Sequence, residues 1–136
     1  MEKQKIEIIV IDDNETHLLL FNEYIKLFNT QCTSFDLVVT SSSSPKEVIE
    51  KKLYQEKDIF ITDYDMPEMT GQELIDHIKK QSHNIRVFIG SSNDEKNKFR
   101  FDVDYFIHKK NIVNLQKFTE VMKLLIKKNF KQTQDC

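Results

Sequence analysis

Three aspartates and one lysine stand directly after apolar segments of this chain. Asp12 and Asp13 follow the first such segment, Asp63 closes another, and Lys109 follows a third. The segments are residues 6–11, 58–62 and 105–107. If they form neighbouring parallel strands, their carboxyl ends meet at one edge of a sheet, where open α/β sheets bind their ligands. Three carboxylates and one amine therefore describe a candidate site.

These carboxylates suit a magnesium ion, which prefers oxygen ligands and usually takes one or two protein carboxylates together with waters. We expect Asp13 and Asp63 to bind the ion directly and Asp12 to hold a metal-bound water. A backbone carbonyl just past Asp63, taken as that of Asp65, completes the predicted metal site. The cation would also offset the repulsion among the three acids.

An aspartate beside such a cation can act as a nucleophile toward a phosphoryl group, which gives an aspartyl phosphate. Asp63 is the expected acceptor. Lys109 would neutralise one phosphoryl oxygen and the Ser91 hydroxyl would donate a hydrogen bond to another, while the small Ser92 leaves room for the group. Phosphorylation would add roughly 1.5 to 2 negative charges, which would pull the loop that carries Ser91 and Ser92 inward. The pattern therefore predicts a switch.

Apolar segments alternate with amphipathic segments along the chain, which predicts an α/β fold of five strands joined by helices. Ser44 and Pro45 are typical of a helix start, with Ser44 as the cap and Pro45 as the first helical residue. The fourth connection, 94–102, is charged and only weakly amphipathic. The predicted strands are 6–11, 35–40, 58–62, 86–89 and 105–107, and the predicted helices include 45–55 and 113–130.

Length and composition limit the class of protein. At 136 residues the chain is expected to be a single domain, with its core at about 6–128 and a polar tail at 129–136. With 20 Lys and Arg against 22 Asp and Glu, no net field favours nucleic acid or an anionic membrane as a partner. The apolar runs are far shorter than the ~20 residues of a membrane span, and the first residues do not resemble a secretion signal. We therefore expect a cytoplasmic protein without an output domain.

Four groups of residues, taken in order and at their spacing, resemble a response-regulator receiver domain of the chemotaxis-regulator type. The groups are Asp12-Asp13, Asp63 with Met66-Pro67 and Gly71, Ser91-Ser92, and Phe106-Ile107-His108-Lys109. The resemblance extends from residue 6 to about residue 128. It implies a flavodoxin-like, doubly wound (βα)5 fold with a five-stranded parallel sheet of order 2-1-3-4-5.

The resemblance also implies a phosphorylation-dependent switch of a two-component system or phosphorelay, rather than a conventional turnover enzyme. Asp63 would accept a phosphoryl group from a histidine kinase or a histidine phosphotransfer protein with Mg²⁺ as cofactor. Ser91, Phe106 and Lys109 would carry the response. The signal would then reach an effector protein through the face formed by the fourth helix, fifth strand and fifth helix, or the phosphoryl group would be passed onward.

Three further positions matter to this resemblance. Asp65 and Asn93 lie two residues past Asp63 and Ser91. In this family these positions border the path of the attacking water, so both would modulate the lifetime of the phosphate. Lys110 stands where the family usually has proline, and we expect a trans peptide bond before it because a non-proline cis bond costs ~2.5–4 kcal/mol.

Two other functions fit part of the pattern. Asp63-Tyr64-Asp65 is similar to the DxD motif of haloacid-dehalogenase-type phosphohydrolases, in which the first acid is the nucleophile and the second a general acid, although the early acidic pair has no function there. A receiver-like module that binds partners without phosphorylation is the other alternative. A motility-type regulator and a phosphorelay intermediate both remain open. Of the four histidines, His17 lies nearest to the predicted site, one turn beyond the acidic pair.

Overall fold

The computed structural model of the chain describes residues 3–81, 84–93, 97–99, 103–109 and 114–130. Its strands are β1 Gln4–Ile11, β2 Phe35–Ser42, β3 Ile59–Asp63, β4 Val87–Ser92 and β5 Tyr105–His108, and its helices are α1 Glu15–Gln31, α2 Pro45–Glu50, α3 Gly71–Gln81 and α4 Leu115–Asn129. The strands form one parallel sheet in the order β2-β1-β3-β4-β5. This confirms the predicted α/β fold and its strand order.

Both faces of the sheet are covered, and β1 shows why its sequence is apolar almost throughout. Ile8 and Val10 belong to a core that includes α1 and α4, whereas Ile9 and Ile11 belong to a second core on the side of α2 and α3. A central parallel strand buries both of its faces in this way and therefore lacks a polar side. The two cores fix the direction in which β1 delivers the residues that follow it.

Polar side chains cap the N-termini of the two helices that lie next to the predicted site. The Asn14 side chain accepts hydrogen bonds from the backbone N–H groups of Thr16 and His17 at the start of α1. At the start of α3, the Glu73 N–H donates to the Thr70 hydroxyl at 3.1 Å and the Thr70 N–H donates to the Glu73 carboxylate at 3.1 Å. This reciprocal capping box fixes where the loop after β3 ends.

The predicted extent of the second helix is wrong, because α2 ends at Glu50 rather than near residue 55. Lys52 adopts a left-handed backbone conformation with φ of 52°. The Lys52 N–H donates to the Ile49 carbonyl and the Leu53 N–H donates to the Val48 carbonyl, at 3.3 Å and 3.0 Å. These bonds form a Schellman motif, in which glycine is the usual left-handed residue. Because lysine occupies the position that glycine usually takes, the sequence contains no signal for the end of this helix.

Other differences concern element ends and residues outside the described part of the chain. β2 and β4 run to Ser42 and Ser92, further than predicted, because both strands gain partners in the sheet beyond their apolar residues. The fourth connection, 94–102, is described only at 97–99, which are not helical. The tail from residue 131 and the bond before Lys110 lie outside the described residues. No helix among the described ranges is both long and apolar enough to cross a membrane.

Gly71 occupies a position where the chain returns close to β3. Its N–H donates to the Tyr64 carbonyl at 2.7 Å, which closes the loop that follows Asp63. A Cβ atom at this position would overlap the backbone carbonyl oxygen of Asp63 and would also meet the ring of Phe99 at 3.1 Å. The backbone oxygen cannot rotate away as a side chain could. Glycine is therefore required by close packing rather than by an unusual backbone angle.

We predict that Gly71→Ala destabilises the protein by roughly 1–3 kcal/mol, the usual cost of forcing an extra carbon into a packed interior. Urea denaturation followed by far-UV circular dichroism measures this change. Lys80→Ala, on the exposed side of the same helix, is the matched control and should stay within about 0.5 kcal/mol of the parent protein. Equal unfolding midpoints for the two variants would contradict the packing argument.

Candidate functional site

The register of the sheet brings the ends of four strands level at one edge. Ile11, the last residue of β1, pairs with Thr62 of β3, so Asp12 and Asp63 come next on adjacent strands. Asp63 in turn pairs with Ser91 of β4, and the Tyr64 N–H donates to the Ser91 carbonyl at 2.9 Å. Farther along the edge, Ser92 pairs with His108 of β5, directly before Lys109. The residues predicted from sequence to share a site therefore lie on one edge.

Lys109 joins the two buried carboxylates of the edge. Its Nζ lies 3.0 Å from Oδ2 of Asp63, and 3.2 Å and 3.4 Å from the two carboxylate oxygens of Asp12. All three side chains are at most 6% exposed. A buried ion is tolerated only when it is paired. The single ammonium group thus compensates the negative charges of two acids at the ends of different strands.

The three acidic side chains of the predicted metal site also lie together. Asp12, Asp13 and Asp63 each offer a carboxylate oxygen, and these oxygens lie within 4.8 Å of one another. Asp13 is exposed, whereas the other two acids are buried, so the group opens to solvent on one side. An all-oxygen donor set of this kind fits the preferences of a hard cation such as Mg²⁺. The donor chemistry is therefore compatible with the metal that the sequence predicts.

The surroundings of Asp63 raise the pKa of its carboxyl group to about 6, from 3.8. Burial is the main cause, because it disfavours the charged form, and the negative charges of Asp12 and Asp13 add to the effect. The hydrogen bond and positive charge of Lys109 act in the opposite direction and lower the pKa. Above about pH 6 the group is a carboxylate held near an amine, as a nucleophile requires.

Sequence reasoning gave no function to His17, yet the structure places it against the acidic cluster. Its Nδ1 lies 3.3 Å from Oδ2 of Asp12, the oxygen that Lys109 also contacts. The other Asp12 oxygen accepts a hydrogen bond from the Asn14 N–H at 2.9 Å. The distance of one helical turn from the acidic pair was the only sequence signal for this contact. That spacing brings His17 to Asp12 only if α1 begins directly after Asn14, as it does in the structure.

Ser91 and Ser92 are almost completely buried beside Asp63. Phe106 of β5 pairs with Gly90, one residue before them, and its half-buried ring packs against Phe99 with 6.3 Å between ring centroids. A Cβ atom on Gly90 would meet the Phe99 ring at 2.5 Å. We call β4, which ends in Ser91 and Ser92, the serine strand. It contacts Phe99 and the predicted switch residue Phe106, which also contact each other.

Asp65 and Asn93 are both exposed, on the loops that follow β3 and β4. The Asp65 carboxylate lies 4.0 Å from Nζ of Lys98 and takes no part in the group around Lys109. An exposed pair at this distance contributes little to stability. The structure places Asp65 and Asn93 on the loops next to the ends of β3 and β4, and their effect on the lifetime of the phosphate stays a prediction.

The fold is found among solved receiver domains. The signal receiver domain of an HD domain-containing protein from Pseudomonas fluorescens Pf-5 superposes with a TM-score of 0.74 at 14% identity, covering 94% of this chain and 91% of that one. A response regulator receiver domain protein from Clostridium thermocellum gives 0.66 at 20% identity, covering 90% and 95%. The response regulator TrrA from Thermotoga maritima, in complex with Mg²⁺ and BeF, gives 0.67 at 20% identity, covering 88% and 98%. At these identities the likeness shows a shared fold.

The sequence itself carries the family relationship. No curated protein is similar enough to this chain to count as a match. The family model described as the response regulator receiver domain matches residues 8–123, and this range includes every residue of the acidic cluster as well as Lys109. That family is a signalling domain rather than a conventional enzyme, in agreement with the sequence prediction. The chain belongs to the response regulator receiver domain family.

Proposed function

We propose that this protein is a phosphorylation-dependent switch of a two-component system or phosphorelay, with Asp63 as the phosphoryl acceptor. The observation that carries the proposal is the contact of 3.0 Å between Nζ of Lys109 and Oδ2 of Asp63, in a buried group that also contains Asp12. A lysine amine next to a buried nucleophile can neutralise an oxygen of an incoming phosphoryl group. Membership of the receiver family supports the same function.

In the proposed reaction, a carboxylate oxygen of Asp63 attacks the phosphorus atom of a phosphohistidine on a histidine kinase or phosphotransfer protein. A P–O bond forms, and the P–N bond breaks with its electron pair left on the imidazole nitrogen. Lys109 stays beside the phosphoryl oxygens, and the Ser91 hydroxyl donates a hydrogen bond to one of them. A Mg²⁺ ion held by Asp13, Asp63 and the Asp65 carbonyl, with Asp12 on a metal-bound water, would neutralise phosphoryl charge.

The response would follow from the contacts of Lys109. In the unphosphorylated protein this amine is shared between Asp12 and Asp63, both within 3.2 Å. A phosphoryl group adds about 1.5 to 2 negative charges at Asp63, so it would draw Lys109 and the serine strand toward itself. Phe106 pairs with Gly90 of that strand, one residue before Ser91, and its ring packs against Phe99, which lies over Gly90. We propose that β5 and α4 then present a changed surface to an effector protein.

Mass spectrometry tests whether Asp63 accepts the phosphoryl group. After incubation with acetyl phosphate and Mg²⁺, intact mass spectrometry should detect one phosphoryl adduct on the protein, which requires Mg²⁺ and is absent in Asp63→Asn. Asp36→Asn is the matched control, since Asp36 lies near the start of β2, at the opposite end of the sheet from Asp12 and Asp63, and it should keep the adduct. An adduct of equal yield in Asp63→Asn would contradict the proposal.

Assays of released phosphate, with acetyl phosphate and with phosphomonoesters as separate substrates, distinguish the alternative functions. Steady release of phosphate from phosphomonoesters, abolished by Asp65→Asn, would indicate a phosphohydrolase. Neither an adduct nor released phosphate from the folded protein would indicate a module that binds partners without phosphorylation.

A second prediction uses the raised pKa of Asp63. Because this pKa is about 6 in the folded protein and 3.8 in the reference state, the folded state binds the proton more tightly, and its stability falls as pH rises toward and through 6. One unit of pKa corresponds to about 1.4 kcal/mol, so ionisation of Asp63 costs the fold roughly 3 kcal/mol at most. Asp63→Asn removes this cost and should be the more stable protein at about pH 8.

Urea denaturation without divalent cations measures this second prediction. The stability advantage of Asp63→Asn should widen by roughly 1–2 kcal/mol between about pH 5 and about pH 8, since most of the ionisation of Asp63 falls in that interval. Asp65→Asn should show no such widening. A constant difference between Asp63→Asn and the parent protein across this range would mean that Asp63 is not buried with a raised pKa.

A further inference from the structure

His17 makes a side-chain contact that the proposed reaction leaves unused. Its Nδ1 lies 3.3 Å from Oδ2 of Asp12, with the His17 side chain 19% exposed and the Asp12 side chain 1% exposed. The backbone N–H of His17 donates to the side-chain oxygen of the cap residue Asn14 at 3.3 Å. The first turn of α1 thus fixes the backbone position from which the imidazole extends. A polar ring held against a buried carboxylate by the helix start is a built contact rather than a chance surface approach.

Neither of the two facing atoms has a well-aligned hydrogen bond. Within the described residues, Nδ1 of His17 and Oδ2 of Asp12 are both buried polar atoms without one, although Oδ2 also lies 3.2 Å from the ammonium group of Lys109. Buried polar atoms are nearly always satisfied, and leaving one unsatisfied costs about 1–3 kcal/mol. At 3.3 Å, a small rotation of either side chain would pair them. A neutral imidazole donates from Nδ1 when that nitrogen carries its proton, and the facing carboxylate oxygen selects this tautomer.

The same oxygen of Asp12 is also contacted by Lys109, at 3.2 Å, and this lysine lies closer still to Asp63, at 3.0 Å. Any charge added at Asp63 therefore draws Lys109 away from Asp12. His17 comes from the first turn of α1, and the acid that its Nδ1 contacts is Asp12. His17 can therefore stay beside Oδ2 of Asp12 when the lysine is drawn toward Asp63, while the Asn14 N–H holds the other oxygen.

We propose that His17 is a positioning residue for cation binding: it holds the Asp12 carboxylate in the orientation that the divalent cation requires. This inference rests on the proposed function, because it assigns Asp12 to the metal site. His17 is not itself a ligand. The group of mutually close donor atoms consists of Asp12, Asp13 and Asp63 and leaves the imidazole out. Partners that orient metal-binding carboxylates in this way typically change metal affinity by about 10–100-fold when removed.

The test measures cation affinity rather than phosphorylation. Mn²⁺ binding to the unphosphorylated protein is followed by the electron paramagnetic resonance signal of free Mn²⁺, with Mg²⁺ as the competitor. His17→Leu removes the donor, His17→Asn retains an amide donor near the position of Nδ1, and His77→Leu removes an imidazole from α3. Far-UV circular dichroism and urea denaturation verify that each variant is folded.

We expect the Mn²⁺ dissociation constant of His17→Leu to rise about 10-fold or more, while His17→Asn and His77→Leu stay close to the parent protein. Rescue by asparagine is the outcome that a purely structural effect of the substitution would not give. Parent-like affinity in His17→Leu, or equal losses in His17→Leu and His17→Asn, would overturn the inference and leave the proposed function intact. Absence of Mn²⁺ binding to the parent protein itself would instead overturn the proposed metal site.

Discussion

One ammonium group shared between two buried carboxylates is the interaction on which the rest of this site depends. Asp12 and Asp63 arrive at the same edge because β1 and β3 are adjacent parallel strands in a fixed register. Two acids this close and this buried repel each other and are poorly hydrated, and Lys109 contacts both. The raised pKa of Asp63 shows that the compensation is incomplete, because burial outweighs the attraction of the lysine. A site left short of positive charge is suited to bind a cation.

The rest of the fold holds this edge in place. The two cores on either side of β1 fix its path. The reciprocal cap of Thr70 and Glu73, with the close approach of Gly71 to the Asp63 carbonyl, fixes the loop behind Asp63. Phe99 fills the space over Gly90 and contacts both Tyr64 and Phe106. Since packed aromatic rings transmit displacement rather than absorb it, movement at the serine strand would reach β5. Packed side chains thus link the strand beside Asp63 with β5.

The sequence was most informative where a residue type has a single structural use. Continuous apolar runs predicted buried parallel strands, and acids and a lysine at their ends predicted the common edge, including the grouping of Asp12, Asp13, Asp63 and Lys109. It was least informative where tertiary contacts decide the outcome. The end of α2 depends on Lys52 in a left-handed conformation that usually belongs to glycine. The extension of β4 to Ser92 depends on pairing with His108 across the sheet. The contact of His17 with Asp12 needs the exact start of α1, which the cap at Asn14 determines.

The most direct test of this account is to locate the phosphoryl group on the chain. Borohydride reduces an acyl phosphate to an alcohol and so converts a phosphorylated aspartate into homoserine, which peptide mass spectrometry assigns to a residue. After treatment with acetyl phosphate and Mg²⁺, we expect homoserine at position 63 and at no other aspartate. Homoserine at position 12, 13 or 65 instead would contradict the central claim, because the buried carboxylate held by Lys109 would then not be the acceptor.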